Sequence, residues 1–135
     1  GGANAVAFPT SPTLSNSPLF VWVLGEALPL GFIGPAVEEL FFRCVLCVCV
    51  FQILRPRNGA LVAGWGATLA SSGLFLGFHA VMGPLTAWNV TQLFVVGVTT
   101  AVMVLLTGRA WSALFAHVVY NGSFLALGVA GTFLQ

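Results

Sequence analysis

Three of the seven charged residues in this 135-residue chain fall in one hexapeptide, Glu38-Glu39-Leu40-Phe41-Phe42-Arg43, inside an otherwise apolar run. Glu39 and Arg43 are four apart, so on a helix they share a face and can pair. Glu38 lies about 100° around from Glu39 and is less well placed to share the arginine. A mutually neutralised Glu–Arg pair would lock helices together and needs one carboxylate. The second is surplus to that purpose and has the chemistry of a general base.

Both histidines of the chain also lie in apolar segments. Phe75 and His79 share one helical face by spacing, as do His117 and Asn121. A single intramembrane histidine is commonly a hydrogen-bonded packing residue. Here a carboxylate, two imidazoles and an amide occur together, a set that can activate water and stabilise an oxyanion.

The elements that must position these groups are membrane helices. The chain is 59% hydrophobic and 5% charged, with a mean hydropathy of +1.03. Soluble domains carry about 25% charged residues. Apolar stretches long enough to cross a bilayer recur without strand-like alternation, which predicts an all-α, polytopic transmembrane bundle. The net charge is +1 and lysine is absent, so no basic run could grip nucleic-acid phosphates. Cys44, Cys47 and Cys49 lack a fourth ligand for a structural zinc site and read as small apolar core residues.

Residues 1–18, small, polar and rich in Pro and Ser, are expected to form an extended tail before a helical domain over residues 19–135. Five apolar segments follow, at about Leu19–Ile33, Pro35–Leu54, Ala60–Met82, Trp88–Thr107 and Ala110–Phe133. Breaks are expected at Gly31–Pro35, Arg55–Gly59, Gly83–Pro84 and Gly108–Arg109. Threading back and forth puts Arg55, Arg57 and Arg109 on one face, expected to be cytoplasmic, stromal or matrix-facing by the positive-inside rule. Depth counted from these breaks puts Glu38 and His79 near the non-basic helix ends and His117 closer to the basic side. Glu26 belongs to no motif and is given no role.

The order Glu38-Glu39-x-x-x-Arg43, Phe75-x-x-x-His79 and His117-x-x-x-Asn121 on successive helices resembles the CAAX-protease and bacteriocin-processing family of intramembrane proteases, also called Abi. Pro35, Ser71-Ser72 and Thr107–Trp111 match the flanks, and the likeness covers about residues 34–125. Cys44 departs from the glycine that many relatives have. The resemblance implies an intramembrane endopeptidase. Glu38 would be the base that activates water, with His79 holding that water and Glu39 with Arg43 orienting the site. His117 and Asn121 would be the oxyanion donors. Glu38, His79 and His117 could equally make a His₂Glu zinc set. The reading preferred here needs no cofactor, with zinc as the metal alternative.

The expected partners are membrane lipid and either a membrane-associated peptide substrate or a larger membrane complex, in a bacterial inner membrane or an organelle such as the thylakoid. Two rival functions use the same residues. One is a non-catalytic assembly subunit of a larger membrane complex, such as a photosynthetic one, suited by the lysine-free surface. The other is pigment binding, which requires His79 and His117 to point outward toward lipid or a bound ring.

Overall fold

A computed structural model describes residues 9–134. Among the described residues all regular structure is helical, as the composition requires. The expected count of five helices is not what is found. Four continuous helical runs occur, because residues 19–82 never leave helical structure for a loop.

That long run is built of pieces. Helix α1 (Pro12–Asn16) precedes it; α2 (Leu19–Trp22) opens it. Three wide-turn π-helical stretches follow: π1 (Val23–Ala27), π2 (Pro29–Ile33) and π3 (Glu39–Cys47), with α3 (Gly34–Glu38) between the last two. Then come α4 (Val48–Met82), α5 (Ala87–Thr107) and α6 (Ala110–Phe133).

The break expected at Gly31–Pro35 is therefore absent, and the reason is local. Pro35 lacks an N–H and its ring crowds the preceding turn, which normally ends or kinks a helix. Here the Gly34 N–H reaches five residues back to Pro29 O, and a Cβ at Gly34 would lie 3.2 Å from that oxygen. Glycine and a π turn together let the chain pass its prolines without a loop. Depth counted from a turn at this point consequently fails.

The stop expected at Arg55–Gly59 takes the form of a kink within α4. Gly59 has φ 77° and ψ 168°, a conformation open to glycine and strained for other residues. A straight helix of 35 residues would be about 50 Å long, well beyond a hydrocarbon core of about 30 Å. Beyond this point the expected boundaries hold. Thr86 caps α5 in a reciprocal capping box with Asn89, and Gly108 ends it at φ 66°.

The chain divides into two compact units. The first comprises residues to Pro35 and from Val118 onward. Within it Ser11, nearly buried, caps α1 through its side chain, donates Oγ–H to Glu26 Oε2 at 3.1 Å and donates its N–H to Thr132 Oγ1 at 2.9 Å. Glu26 thus has a local partner. Part of the stretch expected to be extended is instead the α1 turn, while residues 1–8 of that expectation lie outside the described residues. Asn121 Nδ2 donates to Leu30 O at 2.7 Å, and a Cβ at Gly31 would meet Leu125 Cδ1 at 2.9 Å.

The second unit spans Ala36–His117. Its interior is lined by small side chains: Cys47, Ala67 and Ala101 form the centre, with Val50, Phe51 and Leu105 packed around them. Cys47 is thus the core residue the sequence suggested, whereas Cys44 is half-buried and Cys49 is exposed, so the same expectation fails for them. At the α4–α5 crossing a Cβ on Gly97 would come within 3.1 Å of Ser72 Cβ, the close backbone approach typical of membrane helices. Ser71 Oγ–H donates to Phe42 O at 2.8 Å and ties α4 to π3. The large side chains face outward, among them Val81, Leu106 and Leu61. Such an exterior suits lipid.

Candidate active site

The second unit gathers the polar residues of the hexapeptide with both histidines. Glu38 ends α3, Glu39 opens π3, and Arg43 follows one turn later. His79 lies near the end of α4, and His117 on the early turns of α6.

One half of this cluster is dry. Arg43 is 0% exposed, Glu39 1% and His117 2%. Glu39 Oε2 stands 3.3 Å from Arg43 Nε, and its other oxygen accepts from His117 Nδ1 at 2.7 Å. The Arg43 N–H groups find no hydrogen-bond acceptor among the described residues. Its guanidinium carbon instead sits 4.4 Å from the Phe75 ring centroid, where the negative face of the ring meets the cation. Phe75 is itself fully buried and packs edge-on to His117 with centroids 5.7 Å apart. Its centroid lies 4.5 Å from the His79 ring. One aromatic side chain thus braces the cation and both imidazoles.

The other half is partly open. The side chains of Glu38 and His79 retain 21% and 25% exposure. Glu38 Oε1 is 3.9 Å from His79 Nε2, and Oε2 is 3.7 Å from His117 Nε2. Both separations exceed a direct hydrogen bond and are of the kind that a water bridges.

The protons on the histidines follow from their other nitrogens. His79 Nδ1 is 3.0 Å from Phe75 O, and a carbonyl only accepts, so Nδ1 carries hydrogen. His117 Nδ1 faces a carboxylate and donates likewise. Each ring therefore turns Nε2 toward Glu38.

Sequence reasoning named Glu38, Glu39, Arg43, His79 and His117, and the second unit brings these five together. Asn121 belongs to the first unit, where Leu30 O takes one of its amide hydrogens. Phe75 was visible as a motif position without a task. Its bracing role could have been suspected from an aromatic one turn before a buried histidine. The Ser71 bond had no such signal.

The pigment reading does not survive this geometry. It needs both imidazoles turned outward, whereas His117 is buried and each Nε2 faces Glu38.

Helices α5 and α6 are long and apolar enough to cross a membrane. A family model described as type II CAAX prenyl endopeptidase, Rce1-like, matches residues 20–123, which include all of the residues above. Comparison with curated proteins and with solved structures returned no match.

Proposed function

The chain belongs to the Rce1-like family of type II CAAX prenyl endopeptidases, and we propose that it is a multi-pass intramembrane endopeptidase whose base is Glu38. The observation that carries this reading is the facing of Glu38 by two imidazole nitrogens at 3.7 and 3.9 Å, at the partly open edge of a buried charged cluster.

A water in that gap gives a proton to Glu38 while its oxygen attacks the scissile carbonyl carbon. His79, fixed by its bond to Phe75 O, accepts from the same water and holds it. His117 serves the oxyanion. Its Nδ1–H is committed to Glu39, so it donates from Nε2 as an imidazolium, stabilised by Glu39 much as a triad carboxylate stabilises its histidine. Arg43, Glu39, His117 and Glu38 then sum to zero charge, which suits a membrane interior. When the tetrahedral intermediate collapses, the C–N bond breaks and Glu38 returns its proton to the departing amine.

Zinc was the alternative. The donor types suit it, and each imidazole has the backing partner typical of a metal ligand. The spacing favours the metal-free reading. Zinc ligands with bonds of about 2.0–2.2 Å stand about 3.4 Å apart, closer than either Glu38–histidine separation. No group of His, Cys, Asp or Glu placed to hold a metal occurs among the described residues. No step is routed through a metal.

The test is cleavage of a panel of membrane-anchored peptides, one bearing a prenylated cysteine, by the purified chain in liposomes. Products are read by mass spectrometry before and after chelator dialysis. Cleavage that persists through dialysis is the expected result. Activity lost to the chelator and restored by zinc would refute the metal-free mechanism.

A further inference from the structure

A groove of about 350 Å³ runs between α4 and α5 in the second unit, away from the residues assigned to catalysis. Its volume falls in the range of sites for small apolar ligands, about 300–1,000 Å³. Phe51, Leu61 and Trp65 on α4 and Leu106 on α5 form its walls, and buried Thr68 is the one hydroxyl among its lining side chains. Gly64 also lines it and has open space where a side chain would be.

One basic side chain rests against the groove's wall. The Arg55 guanidinium lies 5.8 Å from the ring centroid of Phe51, a wall residue, so the cation rests over the groove's own lining. Arg57 stands three residues before the lining residue Ala60, in the glycine kink. Arg109 follows Leu106 by three, in the turn to α6. All three arginines are exposed, and they are every basic Lys or Arg side chain of the chain other than buried Arg43. Trp65, apolar with a single N–H, is the type of residue found at the hydrocarbon–headgroup boundary.

We propose that this groove binds one anionic phospholipid, an acyl chain lying against Phe51, Leu61 and Trp65 and the phosphate held by Arg55. The apolar cleft alone would take any lipid tail. The arginine stacked over its wall selects a headgroup of net negative charge, because a zwitterionic headgroup brings its own cation to the same place. Each basic residue near an anionic headgroup favours it by about five-fold. The inference needs the chain to lie in a bilayer but does not depend on its being a peptidase.

Native mass spectrometry of the full chain in neutral detergent tests it, with phosphatidylglycerol and phosphatidylcholine of identical acyl chains supplied in equal amounts. The phosphatidylglycerol adduct should exceed the other about five-fold for this arginine. Arg55→Gln, at an exposed position, should bring the ratio close to parity. Gly64→Leu, which fills the groove where space is open, should reduce both adducts. Equal adducts on the unaltered chain would overturn the proposal. So would a Gly64→Leu protein, helical by circular dichroism, that keeps its phosphatidylglycerol at the original level.

Discussion

Glu38 and Glu39 are adjacent in sequence and chemically identical, yet they inhabit different media. Glu39 is 1% exposed, bonded at 2.7 Å to His117 and ion-paired with Arg43. Glu38 is partly open and stands 3.7–3.9 Å from the nearest imidazole nitrogens. One oxygen of the first carboxylate is held by a short hydrogen bond and the other only by charge. The second carboxylate makes no direct hydrogen bond to either imidazole. The difference shows how one short motif can hold both an anchor and a reactive group: a rotation of one residue moves the side chain from the dry interior to its edge.

Four substitutions would break or sharpen this contrast. The largest expected effect is Glu38→Gln, which keeps shape but cannot take a proton. Turnover should fall by about 10²–10⁴-fold, with extraction and helix content unchanged. Full activity in that variant would remove Glu38 as the base.

Next comes Arg43→Ala. It strands a buried carboxylate and should cost about 3–5 kcal/mol of stability, seen as low expression and a lowered melting temperature in detergent. Glu39→Gln with Arg43→Met should recover much of that loss, since neither charge is left alone. A single Arg43→Ala protein as stable as the original would show that Glu39 does not rely on it.

Glu39→Gln by itself strands the buried Arg43 cation, so it should also cost stability, and activity per folded molecule should fall as well. The amide still accepts from His117 but cannot support an imidazolium. We expect a loss of turnover, on the order of the 10²–10³-fold that follows removal of one oxyanion donor, with little change in substrate KM. A change confined to KM would contradict the role given to His117.

The smallest effect belongs to Ser71→Ala, which removes the bond to Phe42 O. A loss of about 1 kcal/mol is expected, with turnover per folded molecule unchanged. If activity fell much further than stability, π3 would have to be held by Ser71 more firmly than one bond allows.

Much of this was legible in the sequence because it is local. The Glu39–Arg43 pair follows from a spacing of four, and the ends of α5 and α6 from Gly83–Pro84, Gly108–Arg109 and the surrounding apolar runs. Gly59 marked its own break. Non-local facts were not legible. The bond between His117 and Glu39 joins residues 78 positions apart, and no periodicity points to it. No pattern within residues 19–47 points to a chain that crosses two prolines by widening its turns. Glycine and proline together usually mean a loop, and the Gly34 N–H reaching Pro29 O is a solution that pattern reading does not contain.

The spacing within the Glu39–Arg43 pair bears on how the protein is made. An isolated arginine or glutamate at a helix centre costs about 2.5–3.5 kcal/mol during insertion. Because the two partners lie in one turn of a single segment, they can neutralise each other as soon as that turn forms, while later helices are still being synthesised. His117 emerges 74 residues after Arg43. A nascent chain therefore carries its charged anchor safely into the bilayer before it possesses the imidazole that turns the anchor toward chemistry. The order of synthesis thus separates charge pairing, which is local, from completion of the cluster, which waits for the last helix.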